Sequence, residues 1–396
     1  MRTLKVIHIA PTPFFADRGC HIRIRNEIYS LRDQSVRIIL CTYHHGKGFD
    51  DIDIRRIPRI PGYNQLEAGY SPFRFIADIF LFLLVLRTAW RERPDILHAH
   101  LHEGALIGWF VRILLFWRRL PLIMDMQGSL AGELAAYGAF RSVPAVLRLF
   151  HHVERIICGF PDFFFCSSEA SCRLLVENFR IKPDKVLLLQ DVVPDDFFAE
   201  RDRDLWKGKF HIPGDKKILL YTGSLLAGKG IHHVWEAMRT LSSRRQDLFW
   251  LLVGYPLEDT RDFVRENNLE NICLLPGQVR YDELPFWLTV ADLALEPKSD
   301  DAGEASGKVL HYMAAGLPIV CFPTGNNRKI LSDTGFFAES LTREAYIEAV
   351  VAALDNPEDA VKKGRRNREI ARTNHSMAAV QQKLMDRYST LAAKDR

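Results

Sequence analysis

From Glu296 to Pro323 the sequence reads EPKSDDAGEASGKVLHYMAAGLPIVCFP. The apolar run Ala291–Leu295 before the loop suits a short buried strand. Lys308–Ala315 suits a helix, and Gly316 stands where a glycine ends one. Pro318 and Ile319–Phe322 open the next strand. Glu304, Ala305, Ser306 and Gly307 are thereby set at a loop-to-helix junction on the C-terminal side of a strand. Ligands of open α/β sheets bind on that side. The free N–H groups of a helix start attract phosphate, and small residues let it come close. A second such turn, Tyr221–Gly230, follows another apolar run and sets Gly223, Ser224 and Gly228 beside Lys229. A glycine-rich turn with one lysine also suits an anion.

A third group of chemically capable residues is His98-Ala99-His100-Leu101-His102-Glu103. Alternate side chains of a strand face one way, so these three histidines are expected to converge as zinc ligands do. The spacing resembles the His-x-His-x-Asp-His of binuclear metallohydrolases but has Glu103 where the Asp-His pair would begin. A zinc hydrolase is therefore the rival enzyme class.

The elements that must position these residues fall into two series. Val6–Ala10, Arg37–Cys41, Ile96–His100, Leu122–Met126 and Phe163–Cys166 read as strands, with helices at His21–Leu31 and 103–117. After a polar, proline-marked break near Asp191–Asp196 the pattern restarts with strands at Lys217–Thr222, Phe249–Val253, Ile272–Leu275, Leu293–Leu295 and Ile319–Phe322. Strands alternating with helices imply a parallel sheet covered on both faces. The expected fold class is thus α/β, with two Rossmann-like doubly wound parallel-sheet lobes and a cleft between them. The expected division is 1–195, 196–375 and a C-terminal helix at 376–396 that packs back on the first lobe.

Bulk properties narrow the partners. A net charge of +4 is too small to argue for nucleic acid. The charge is uneven, since residues 1–120 hold 18 Lys and Arg against 11 Asp and Glu. A basic first lobe fits an anionic ligand or an anionic membrane surface. The seven cysteines are scattered with no Cys-x-x-Cys pair, which suits a reducing cytoplasm. MRTLKVIHIAPTP has no signal-peptide pattern and reads as the first core strand. Phe75–Leu86 is strongly apolar but falls short of the ~20 residues a spanning helix needs. ALIGWFVRILLFWRRL, from Ala105 to Leu120, mixes aromatic and basic residues, and both segments suit either core helices or a shallow, one-sided membrane contact.

GKVLHYMAAGLPIV resembles the donor-site segment of retaining family-4 glycosyltransferases, two-lobed enzymes of the GT-B type that use nucleotide-sugar donors. The family carries two glutamates here, the first toward the transferred sugar and the second toward the ribose. Glu304 matches the first, one residue closer than usual, and His311 replaces the second. Tyr221–Gly230 resembles the family's Gly-Arg-Leu and Lys-Gly motif, in which an arginine and a lysine clamp the diphosphate. Lys229 matches the lysine, and Ser224 replaces the arginine. Gly19 keeps one glycine of a family pair after the first strand, and Gln127 stands where many relatives have a histidine. Asp50-Asp51-Ile52-Asp53 is similar to the metal motif of a different glycosyltransferase fold and is read here as a solvated turn.

The resemblance implies transfer of a hexose-type sugar from a nucleotide diphosphate sugar to a hydroxyl of a lipid-linked or saccharide acceptor. Retention, no metal and no cofactor are implied with it. It places Gly223, Ser224, Lys229, Glu304, Ala305, Ser306, Gly307, Lys308 and His311 at the donor, and Gly19, His21, His100, Asp125 and Gln127 on the acceptor side. Lys229, Glu304 and His100 are the implied catalytic groups. The setting would be polysaccharide or glycolipid synthesis in the cytoplasm, at the inner face of a membrane. A sugar-nucleotide epimerase or hydrolase of the same fold is the nearer alternative.

Overall fold

The computed structural model describes residues 3–16, 19–32, 35–64, 71–130, 132, 144–299 and 307–394. The chain forms two compact units, Met1–Val192 with Met377–Arg396, and Val193–Asp301 with Ser306–Ser376. Both are parallel α/β sheets flanked by helices.

The first unit contains β1 (Leu4–Ala10), β2 (Val36–Thr42), β3 (Asp53–Arg56), β4 (Ile96–His100), β5 (Leu122–Met126), β6 (Phe163–Cys166) and β7 (Val186–Leu188). Their order is β3-β2-β1-β4-β5-β6-β7, so the direction in which strands are added reverses between β1 and β4. Both faces are buried, which explains why the strands read as continuous apolar runs. Ile7, Ile9, Leu97 and Met124 pack into one core. Their neighbours Val6, Ile96 and Ile123 point to the other, where the helix Met377–Lys394 supplies Val380, Leu384, Tyr388 and Leu391. That spacing of four, four and three places all four on one helical stripe. Burying each contributes on the order of 1.5–3 kcal/mol before entropy is counted.

The second unit contains β8 (Lys217–Ser224), β9 (Leu248–Tyr255), β10 (Cys273–Gly277), β11 (Leu293–Glu296), β12 (Ile319–Cys321) and β13 (Gly335–Phe337), ordered β10-β9-β8-β11-β12-β13. Its reversal lies between β8 and β11. At β8 and β9, Gly223 and Gly254 face each other. A Cβ on Gly254 would lie 1.7 Å from the Gly223 carbonyl oxygen, so only glycine allows this approach.

Three strands escape sequence patterning. β3, β7 and β13 are short edge strands of three or four residues. Asp53, expected in a solvated turn, opens β3, where Arg55 donates to it and to Glu92. The helix expected over 103–117 runs instead over Leu101–Leu114 and is followed by a 3₁₀ turn at Phe116–Arg118. The charged tail is two helices, Pro357–His375 and Met377–Lys394, separated by an extended Ser376.

Because Leu384 is fully buried in the first unit, Leu384→Ala should lower stability by about 2–5 kcal/mol in chemical denaturation. Val361→Ala, at an exposed helical position, should change it by less than about 0.5 kcal/mol.

Candidate functional site

In the second unit, Lys229 closes a short 3₁₀ turn, Ala227–Lys229, directly after β8. Gly230 then takes φ +82°, and a Cβ there would lie 2.2 Å from the Pro297 carbonyl oxygen. The turn is thus pressed against the chain leaving β11. The helix Gly307–Ala314 is pinned to the same strand end by Tyr312, whose Oη accepts the Thr222 N–H at 2.8 Å. Its first turn carries Lys308 over Gly223, with Cδ within 3.8 Å of where a Cβ would stand.

Lys308 Nζ sits 3.3 Å from Glu296 Oε2 and 4.2 Å from the centre of the Tyr221 ring. Glu296 is fully buried at the end of β11 and also accepts the Lys298 N–H at 3.2 Å. The ends of β8 and β11 thus set the Lys308 ammonium on a buried carboxylate that also takes the Lys298 backbone N–H, with Lys229 in the adjoining turn. Such an arrangement suits a polyanion set against a glycine-floored strand end. Gly223, Ser224, Lys229, Gly307 and Lys308 all belong to this end of the sheet. Glu304, Ala305 and Ser306 lie outside the described residues.

His311 is half-buried one turn further along the helix. Its Nε2 lies 3.0 Å from Tyr281 Oη, and its ring stacks on Phe197 at 4.5 Å. Burial lowers its pKa to about 3, so the ring is neutral at physiological pH. A neutral imidazole beside a tyrosine hydroxyl offers one polar patch for hydroxyl groups.

In the first unit a polar network lies under the β1–β4 reversal. Arg23, on the helix Gly19–Ser30, holds Asp125 with Nε at 3.0 Å and Nη2 at 2.6 Å. It also donates to Asp191 at 3.0 Å and approaches Glu27 Oε1 at 3.1 Å. Burial would raise the Asp125 pKa, but Arg23 and His100 hold it well below the usual carboxylate range. Burial and the Asp125 charge push the Glu27 pKa well above that range.

His100 Nδ1 meets Asp125 Oδ2 at 3.0 Å, and its Nε2 meets His8 Nδ1 at 3.0 Å. Asp125 can only accept, so the proton of the first bond sits on His100. His98 Nδ1 reaches Tyr388 Oη at 2.6 Å. Burial and neighbouring histidines lower both His8 and His98 well below their ordinary range. Gln127, half-buried, donates to Asp125 at 2.8 Å.

The structure therefore brings His100, Asp125 and Gln127 together. His100 and Asp125 are fully buried with their polar atoms engaged, so they orient Gln127 rather than line an open surface. His21 is buried too, accepting the Ala16 N–H at 3.0 Å and pairing with Thr12. Gly19 begins its helix with open space around a would-be Cβ.

The expected convergence of His98, His100 and His102 does not occur. β4 ends at His100, and Leu101 takes φ +62°, so His102 stands on the following helix with its Nε2 3.3 Å from Glu154. His8 completes the cluster instead, and the nitrogens of His8, His98 and His100 lie within 4.8 Å of one another.

Several contributors were not legible in the sequence. Glu296 had a signal, a carboxylate ending the run Leu293-Ala294-Leu295. Arg23, His8 and Tyr388 had none, because their partners lie 92 to 290 residues away or on other elements.

Two family models cover the chain. Residues 18–190 match the glycosyl transferase 4-like domain, and residues 202–370 match glycosyl transferases group 1. The chain belongs to the glycosyl transferases group 1 family. Among curated relatives of this glycosyltransferase, the alpha-D-kanosaminyltransferase of Streptomyces kanamyceticus is 22% identical over 325 residues, covering 78% of this chain and 81% of the relative. The sucrose-phosphate synthase of Thermosynechococcus elongatus superposes with a TM-score of 0.81 at 16% identity, over 99% of this chain and all of that one. Anabaena HepE in complex with UDP superposes with a TM-score of 0.74 at 15% identity, over 98% of this chain and all of that one. The two solved structures are GT-B folds, as is this chain.

His311 gives a pH test. Its folded pKa, about 3, lies below its unfolded value of 6.5, so only the unfolded chain takes up this proton between those limits. The stability it allows is present above pH 6.5 and lost as pH falls toward 3. In urea melts from pH 7 to pH 5, the wild type should therefore lose more stability than His311→Asn. Equal losses would contradict the buried, neutral assignment.

Proposed function

We propose that this protein transfers a hexose-type sugar from a nucleotide diphosphate sugar to a hydroxyl of a lipid-linked or saccharide acceptor. The transfer retains anomeric configuration and needs no metal. The observation that carries the reading is the glycine-floored end of β8, with Lys308 over Gly223 and Lys229 closing the adjoining turn. A diphosphate fits this charge and this steric opening. That HepE is described in complex with UDP makes a uridine nucleotide the first donor to test.

In this reading Lys229 and Lys308 neutralise the charge that grows on the leaving diphosphate. Gly223, Ser224 and Gly307 bring backbone close to it, and the family resemblance assigns Ala305 and Ser306 to the same donor. Glu304 holds the sugar hydroxyls. The neutral His311, with Tyr281, meets the ribose. Gln127 reaches the acceptor, held by Asp125 and His100, while Gly19 and His21 shape the turn beside it. The bond from the anomeric carbon to phosphate oxygen breaks as the bond to acceptor oxygen forms on the same face. The acceptor proton passes to the leaving phosphate. The protein contributes positioning and charge, and no protein nucleophile takes part. The scattered cysteines, with no Cys-x-x-Cys pair, support a cytoplasmic setting.

The test begins with a thermal-shift screen of nucleotide sugars, followed by product analysis with candidate acceptors. Lys308→Ala and Lys229→Ala should each lower kcat by about 10²–10³ with the fold intact. Glu304→Ala should reduce turnover more than nucleotide binding. Activity should survive a chelator. Stoichiometric zinc, with activity lost to the chelator and restored by zinc, would replace this reading with a metal-dependent one centred on His8, His98 and His100.

A further inference from the structure

The helix Phe73–Glu92 is apolar on both sides, but the two sides differ in size. It buries small or slender residues, Ala77, Leu81, Val85, Thr88 and Ala89. It exposes large ones, including Ile79 at 61%, Leu83 at 51% and Trp90 at 56%. The one acidic residue interrupting its apolar run, Asp78, turns away from this face. It accepts from Tyr43 Oη at 2.6 Å, and burial raises its pKa to about 7. Beside this helix, the end of Leu101–Leu114 and the turn after it expose Phe110, Ile113, Phe116 and Trp117. Trp90 and Trp117 meet edge to face at 6.0 Å, so the two elements form one continuous patch.

Within residues 71–120 the fully exposed charge has one sign. Every exposed charged residue between 71 and 120 is an arginine: 87, 91, 93 and 119. A groove of about 380 Å³ opens between the elements, lined by Leu83, Leu86, Trp90, Leu114 and Trp117 with Arg87 at its side. No helix among the described residues is long and apolar enough to cross a membrane.

The sequence suggested the whole run from Trp109 to Arg119 as the contact. The structure divides it. Trp109 stacks on Phe160 at 4.1 Å, and Arg112 pairs with Asp162 at 2.7 Å. Arg118 donates to the Ala89 and Trp90 carbonyls at 2.7 and 3.2 Å, closing the end of the long helix. These three are structural, and Phe75–Trp90 supplies the missing half of the surface.

We infer that this face lies on an anionic phospholipid bilayer, with its aromatic and aliphatic side chains at the headgroup boundary and Arg87, Arg91, Arg93 and Arg119 on lipid phosphates. An apolar surface with a basic rim and no spanning helix is the chemistry of an interfacial anchor. A second copy of this chain is a poorer occupant, because a two-fold pairing of like faces would set arginine against arginine. A lipid offers both an apolar tail for the groove and a phosphate for its arginine.

Flotation of the full chain with phosphatidylcholine vesicles, with and without phosphatidylglycerol, reads this directly. It needs no donor or acceptor, so it stands or falls apart from the transfer reaction. The chain should float with the anionic vesicles and be released by salt. Ile79→Asp with Leu83→Asp should lose at least about tenfold in vesicle affinity, with circular dichroism unchanged. Arg87→Glu with Arg91→Glu should lose about tenfold for anionic vesicles and flatten the salt dependence. Absence of flotation with either lipid, or unchanged binding by the aspartate variant, would overturn the proposal. So would a dimer in sedimentation that the aspartate pair dissolves while vesicles remain unbound.

Discussion

The first unit is organised around the Arg23–Asp125 pair. Both groups are removed from water, so their attraction must outweigh two desolvation penalties, which happens only when further hydrogen bonds complete them. Here they do. Arg23 adds Asp191 beyond β7, and Asp125 adds His100 on β4 and Gln127 after β5. From His100 the connection runs to His8 on β1 and, with His98, to Tyr388 on the C-terminal helix. One ion pair thereby fixes the first helix, three strands and the last helix in register. Losing one partner of such a pair leaves the other buried and uncompensated, at a cost of about 3–5 kcal/mol. Glu27 lies beside the pair, 3.1 Å from Arg23, where burial and the Asp125 charge push its pKa up.

The second unit uses backbone rather than charge to build its strand ends. Gly223 and Gly254 touch through main chain, and Gly230 touches the Pro297 carbonyl. These contacts remove side chains from the end of β8 and leave room for a ligand. Lys308 is held over that room by a carboxylate at 3.3 Å and an aromatic ring at 4.2 Å. A lysine so held loses less rotamer freedom when an anion arrives than one waving in solvent. Preorganised charge of this kind is what a reaction with a growing anionic leaving group can use.

How much of this was legible in the sequence follows from how local each signal is. The central strands and the helix Gly307–Ala314 were legible because burial on both faces leaves unbroken apolar runs, and Gly316 marks the stop at φ +75°. The edge strands β3, β7 and β13 were not, since three or four residues are too few to show a period. The histidine cluster was read with the wrong third member. Period-two logic holds only while the strand continues, and β4 ends at His100. His8 joins because β1 pairs with β4 in register, His8 opposite His98, a fact of topology that no spacing within 98–102 contains.

The apolar helix Phe73–Glu92 shows the same limit from the other side. Its sequence is equally consistent with a core helix, because composition alone does not say which residues face inward. The structure resolves this by size. Ala77 and Ala89 let the helix sit close to the sheet, which turns Phe75, Ile79, Leu83 and Trp90 outward. Large side chains outward and small ones inward reverse the arrangement that minimises exposed apolar area in water. Arg118 donates to the Ala89 and Trp90 carbonyls at the end of this helix, and Trp117 beside it meets Trp90 edge to face. Large apolar side chains gathered on one exposed face have a packing rationale only if something apolar meets that face.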